Sequence, residues 1–259
     1  CALPRAEHRI CCRSRRRLVH RHGQSGCHYG DQRRRLVDYI HGGTGGGKRM
    51  VNAGLPIVAI PTTAGTGTEA DPFTVITNGE EKIGGGGEKC FPTISIVDPD
   101  FMMTVPPHLT AYQGFDAFFH AAEGYLAKTA SPMSDMFALQ AITLIGKSLA
   151  TAVKDGGNAD ARADVALANT LAGFVETLSS CSGEHAIEHA LSAFHPDLPH
   201  GAGLIMLSKH TGAASRTPRL TACRPLHMHL DVRTAIFSLR WLSCSRRAAW
   251  TSCACPTTA

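Results

Sequence analysis

Two apolar stretches, GFDAFFHAAEG at 114–124 and EHAIEHALSAF at 184–194, each carry ionisable residues four positions apart. Asp116 and His120 form the first pair, His185 and His189 the second. Positions i and i+4 share one face of a helix. Both pairs therefore sit on stripes whose neighbours are apolar enough to pack. Burying a charge without a partner is costly, so a fold that buries these stripes has to supply one. A divalent cation would serve both pairs. His200 follows in a Pro-His-Gly turn at the start of a further helical stretch, and one Asp with three of these His would make a four-ligand set. That donor set suits a metal of the iron or zinc type, with ligands drawn from three segments as in helix-bundle sites. Taken singly, each motif also reads as a surface pair, a satisfied core histidine or a plain turn. The apolar surroundings favour the joint reading.

The pattern around these residues predicts the fold class. LPIVAIP (55–61), FTVIT (73–77) and PTISIVDP (92–99) read as short strands. NGEEKIGGGGEK (78–89) reads as a polar, glycine-rich hairpin or loop. From Pro106 onward the periodicity is helical. Helices are expected over about 110–129, from Ser131-Pro132 to about 154, over 159–178, and from near 182, with a fifth opening at GAGLIMLSKH. Ser131 supplies an N-cap and Pro132 the first helical position. The sum is an α/β segment followed by an all-helical one.

TTAGTGTEAD (62–71) directly follows the first strand. Its small residues let backbone N–H groups approach phosphate or ribose oxygens, and a tight surface turn explains them equally well. GGTGGGK (42–48) imitates a P-loop, but Arg49 stands where the magnesium-binding hydroxyl belongs and VNAGLP starts no helix. A glycine-rich loop is the expectation there. Cys90 and Cys181 lack a base partner in sequence and read as ordinary cysteines.

Charge is sharply partitioned. Residues 1–38 carry ten Arg, no Lys and three acids; residues 39–210 carry two Arg, seven Lys and seventeen acids; residues 211–259 carry seven Arg, no Lys and one acid. Eight of the ten Cys also lie in the flanks. Basic arms for nucleic acid, a disulfide framework and translation from a shifted reading frame compete as explanations. RRRLVHRH lacks the interleaved aromatics of a single-strand-binding surface, and the Cys spacings fit no zinc pattern. The shifted frame fits best, and nucleic acid is not expected as a partner. No apolar h-region opens the chain and no run of about 18 apolar residues occurs, so neither a secretory signal nor a membrane partner is expected.

PTTAGTGTEAD, ISIVDPD, YQGFDAFFHAAEGY, EHAIEHAL and PHGAGL, in this order, resemble the iron-containing (group III) alcohol dehydrogenases over about residues 39–210. The resemblance implies a dehydroquinate synthase-like architecture: an α/β nucleotide-binding segment, incomplete here, and an all-helical metal-binding domain. It implies that Asp116, His120, His185 and His200 ligate the metal, usually Fe²⁺ and sometimes Zn²⁺. His189 then matches a histidine behind the ligands that relays a proton, the catalytic candidate. Thr62, Thr63, Gly65, Thr66 and Gly67 match the turn that contacts NAD or NADP, and Lys82 a lysine near the nicotinamide ribose. The family's GGGS-x-x-D-x-A-K pyrophosphate loop is not found in this sequence. The expected organisation is a basic flank (1–38), a partial nucleotide-binding domain (39–105), a truncated helical metal domain (106–210) and a second basic flank (211–259).

The implied activity is hydride transfer between a small alcohol or aldehyde and NAD(P), in the cytoplasm. A truncated, inactive metal-binding remnant and a glycerol dehydrogenase or dehydroquinate synthase relative are the alternatives. Substrate, cofactor preference and homo-oligomer formation stay open.

Overall fold

The computed structural model describes residues 36–52 and 54–214, and the change of pattern at Pro106 divides it. Upstream lie four short strands: β1 (Val58–Ala59), β2 (Phe73–Asn78), β3 (Glu81–Gly86) and β4 (Ile94–Ser95). β1 pairs with β4 in parallel, and β2 with β3 antiparallel, in register from Phe73↔Gly86 to Asn78↔Glu81. The two longer strands expected at 55–61 and 92–99 are each reduced to a two-residue pairing. Pro56 and Pro61 have no N–H to give a ladder, and Ile94, Ile96 and Val97 stay partly exposed. Conversely, the glycine-rich stretch after Asn78 is more regular than the loop alternative: it forms β3. Gly85 belongs there because a Cβ would meet Ile40 Cδ1 at 2.3 Å. Ile40, Tyr39, Ile76 and Ile83 make a small buried cluster, with Met50 against it.

GGTGGGK folds back on the single helical turn Leu36–Tyr39. Gly46 N–H donates to Val37 O and Lys48 N–H to Asp38 O, and no helix follows, as expected.

Downstream, five helices run α1 (Pro107–Leu126), α2 (Pro132–Lys154), α3 (Ala159–Leu178), α4 (Gly183–Phe194) and α5 (His200–Ala214). Sequence-coded caps set the boundaries. Ser131 forms a capping box with Ser134 at the start of α2, and Asn158 Oδ1 accepts from Ala161 N–H at 2.9 Å to open α3. Arg162 of α3 ties down the chain entering α1: its guanidinium donates to Val105 O and Thr110 Oγ1 at 2.9 and 2.7 Å. α1, α2 and α3 pack on one another through alanine-rich faces. α2 is the one described helix long and apolar enough to cross a membrane by composition, which the sequence reading did not single out. Its Ala138, Ala141, Ile145, Leu149 and Ala152 are buried, as in the core helix of a bundle. α5 reaches Ala214, past the point near Lys209 where the sequence pattern ends. The Arg- and Cys-rich flanks, and the frame reading attached to them, lie outside the described residues.

Two close approaches position the site. Gly201 lets α5 start directly on α1, where a Cβ would meet Tyr112 O at 2.1 Å. Gly67, at φ +62°, touches Gly173 of α3, whose Cα lies 2.6 Å from where a Cβ would stand.

Candidate metal centre

α1 places Asp116, His120 and Glu123 on one stripe, all buried. α4 brings His185, and the first residue of α5 is His200. These elements converge on Asp116 Oδ1. His200 Nε2 lies 3.3 Å from it, His185 Nε2 3.4 Å and His120 Nε2 3.7 Å. Donor atoms about 2.1 Å from one tetrahedral ion stand about 3.4 Å from each other. The rings of His120 and His185 stack at 4.4 Å and 14°.

Each imidazole is held from behind. His120 Nδ1 donates to the Gly65 carbonyl at 3.1 Å, His185 Nδ1 to Glu123 Oε1 at 2.6 Å, and His200 Nδ1 to Glu188 Oε2. A carbonyl and two carboxylates can only accept, so each Nδ1 carries a proton; Nε2 is the atom left for a cation, and with none bound His185 Nε2–H donates to Asp116 Oδ1 at 3.4 Å. This is the arrangement that orients and strengthens histidine ligands. The buried His200 Nε2 makes no aligned hydrogen bond with any described residue, which is what a ligand atom awaiting a cation would show. Asp116, His185 and His200 offer donor atoms within 4.8 Å of one another, a set that fits a divalent metal, and His120 Nε2 stands beside it 3.7 Å from Asp116 Oδ1.

Sequence reasoning missed Glu123 and Glu188. Glu123 accepts from the backbone N–H groups of Ser182, Glu184 and His185 as well as from the imidazole. It therefore caps α4 and aims His185 at once. Its signal was its place three residues after His120 on the Asp116 stripe. Glu188 is wholly buried and binds Lys82 Nζ at 3.1 Å. It lies three residues after His185, inside EHAIEHAL.

The charges follow the packing. Burial opposes ionisation of Asp116, but the charges of His120 and His200 and the hydrogen bond from His185 hold its carboxyl well below the usual carboxylate range. Burial likewise raises Glu123 and Glu188, and the histidines they bind pull both below the ordinary value. Burial lowers His185, yet Cys181, Asp116 and Glu123 hold its proton well above the imidazole norm.

The remaining candidates spread outward. His189 stacks obliquely beside His200, with ring centroids 5.3 Å apart, and lies 6.4 Å from His185. Lys82 on β3 reaches Glu188, donates to Ser192 Oγ at 2.8 Å and stands 3.3 Å from His200 Nδ1. That joins it to the layer behind the candidate ligands. In the 62–67 turn, Gly65 O meets His120, Gly67 N–H donates to Asn169 Oδ1 at 3.0 Å, and Thr66 Oγ1 accepts from Thr68 N–H at 3.4 Å. Thr62 and Thr63 are half-buried at its entrance.

Two family models match the chain: "Iron-containing alcohol dehydrogenase" over residues 27–99, and "Fe-containing alcohol dehydrogenase family, C-terminal" over residues 110–233. Together they reach beyond the 39–210 span of the sequence motifs on both sides. Alcohol dehydrogenase 4 of Saccharomyces cerevisiae is 40% identical over 165 residues, 63% of this chain and 43% of that protein. The 1,3-propanediol dehydrogenase of Klebsiella pneumoniae is 40% identical over 163 residues, 62% of this chain and 42% of that one. Among solved structures, sulfoacetaldehyde reductase from Bifidobacterium kashiwanohense in complex with NAD⁺ aligns with a TM-score of 0.74 and 29% identity, over 86% of this chain and 60% of that one. The chain thus spans less than half the length of the curated relatives it matches.

Proposed function

The chain belongs to the iron-containing alcohol dehydrogenase family, and from that premise we propose that it is a cytoplasmic, metal-dependent alcohol dehydrogenase or aldehyde reductase that uses NAD or NADP. One observation carries the proposal: three Nε2 atoms within 3.7 Å of Asp116 Oδ1, each ring anchored through Nδ1. Asp116, His120, His185 and His200 hold the metal, Fe²⁺ or Zn²⁺. When bound, the ion supplies Lewis-acid polarisation of an alcohol or carbonyl oxygen. Hydride chemistry is the nicotinamide's own.

The protein residues supply orientation and proton handling. Glu123, Glu188 and the Gly65 carbonyl keep the protons on Nδ1. His189, against His200, takes up or gives the substrate proton. The 62–67 turn holds the dinucleotide, and its Gly65 carbonyl links it to His120, so cofactor and metal share one support. Lys82 reaches the same region from the β hairpin and neutralises Glu188. The native partner is a small alcohol or aldehyde, the class named in the relatives.

A second reading, a metal-binding remnant without turnover, is favoured by the small α/β part: the described residues hold two sheets of two strands each. One experiment separates them. The full chain is loaded with Fe²⁺ under anaerobic conditions and assayed for NAD⁺ and NADP⁺ reduction with short primary alcohols, 1,3-propanediol among them. We expect metal-dependent reduced nicotinamide in the wild type and none in His185→Ala. Bound metal without nicotinamide binding or reduction would contradict the enzyme and leave the remnant.

A further inference from the structure

Arg162 on α3 is 4% exposed, and among the described residues no carboxylate pairs with it. Its Nε donates to Gly156 O at 3.0 Å, and its terminal nitrogens donate to Thr110 Oγ1 and Val105 O at 2.7 and 2.9 Å. A guanidinium has more N–H groups than these acceptors use. All three acceptors are neutral, so the buried charge itself is unanswered. Burial pulls the group below its ordinary pKa, with no acid to raise it again.

A second observation stands beside the first. Arg162 and Gln113 line a cavity of about 10 Å³, whose other walls include Ala64, Met102 and Val165. That is room for one water-sized body. Gln113 is 8% exposed, and its amide makes no hydrogen bond with any described residue. A buried amide is costly to leave unpaired. Thr110 and Gln113, three positions apart on α1, share the face that meets Arg162. Thr110 and Arg162 each stand in the first turn of a long helix, where the backbone dipoles add partial positive charge. A water would satisfy the amide and leave the charge unanswered, whereas a small anion answers both. The size of the cavity shuts out sulfate, phosphate and carboxylates.

We propose that this cavity is a binding site for a chloride-sized monovalent anion, held by the Arg162 guanidinium and the Gln113 amide N–H, with apolar contact on its other sides. The ion ties the first turns of α1 and α3 to Ala64, in the turn that follows β1. Gln113 also backs onto that turn, since a Cβ added at Gly65 would stand 2.9 Å from Gln113 Cβ. The proposal rests on neither the metal nor the nicotinamide reading.

The test is a melting titration of the full chain in sodium chloride, bromide and gluconate at equal ionic strength. Chloride and bromide should raise the melting temperature saturably, by roughly 3 °C at about ten times the dissociation constant, and gluconate should not. Gln113→Leu keeps Arg162 and its three bonds, and should weaken the anion dependence at least about 10-fold. Crystals grown in bromide need no variant, and should show an anomalous peak within hydrogen-bond reach of Arg162 and Gln113. Equal melting in all three salts, a dependence that Gln113→Leu leaves unchanged, or a water at that position in the bromide-grown crystals overturns the assignment.

Discussion

Glu123 shows how much one residue decides here. Its two oxygens accept five hydrogen bonds, from Ser182 N–H and Oγ–H, Glu184 N–H, His185 N–H and His185 Nδ1–H. Exchange for Gln keeps the size, removes the charge and turns one acceptor into a donor facing other donors. Residues behind a metal ligand typically control about 10–100-fold in affinity. Glu123→Gln should therefore weaken Zn²⁺ binding by about that factor in a calorimetric titration and lower the melting temperature as α4 loses its cap. Unchanged affinity would show that His185 needs no support. The clustering of Asp116, His120 and His185 was legible in the sequence, because polar residues at helical spacing inside apolar runs demand a partner, whereas His200 was singled out as a ligand only by the family resemblance. Glu123 was not. Its partners lie about sixty positions downstream, and only the fold brings the start of α4 to it.

The turn after β1 works as a latch between the strand segment and the helices. Gly67 docks on Gly173 and Asn169, and the buried Glu69 accepts from Asn169 Nδ2 and Thr170 Oγ1 at 2.8 and 2.7 Å. Its other oxygen, Oε2, is buried without a hydrogen-bond partner among the described residues. Burial raises the Glu69 carboxyl above its ordinary value, and the bonds from Thr170 and Asn169 offset that only in part. The folded state thus holds this proton to higher pH than the unfolded chain. Its stabilising contribution is complete below the ordinary glutamate value of about 4.3 and is lost as pH rises through the raised one. Glu69→Gln removes that loss. Urea unfolding of both proteins at about pH 5 and about pH 8 should show the variant gaining on the wild type as pH rises; parallel curves would contradict the account. At this scale the helices were readable because Ser-Pro, Gly-Gly-Asn and Pro-His-Gly mark their ends. β3 was legible only as one of two alternatives, hairpin or loop, since Gly84, Gly85 and Gly86 carry no strand preference and owe their pairing to β2. The strands at β1 and β4 were overestimated, because apolar runs report burial and pairing needs a neighbour.

Across the whole molecule, α1, α4 and α5 meet at a cluster that is costly without a cation: a buried carboxylate, three inward-facing imidazoles and the carboxylates behind them. α1, α2 and α3 pack on one another, and this cluster ties α4 and α5 to α1 beside the close Gly201–Tyr112 approach. A bound ion should therefore stabilise the fold as well as equip it, and free metal at about 1,000 times the dissociation constant adds about 4 kcal/mol. The order of the strand and helix segments, and the convergence of distant motifs on one point, were legible from five short motifs in sequence order. The layer behind the three imidazoles, including Lys82 from the β hairpin, was visible only in three dimensions. The most direct test of the centre is an equilibrium titration of chelator-stripped protein with Zn²⁺, wild type against His200→Ala. The account predicts one saturable ion per wild-type chain and affinity lost in the variant; no saturable binding, or equal binding by both, would contradict it.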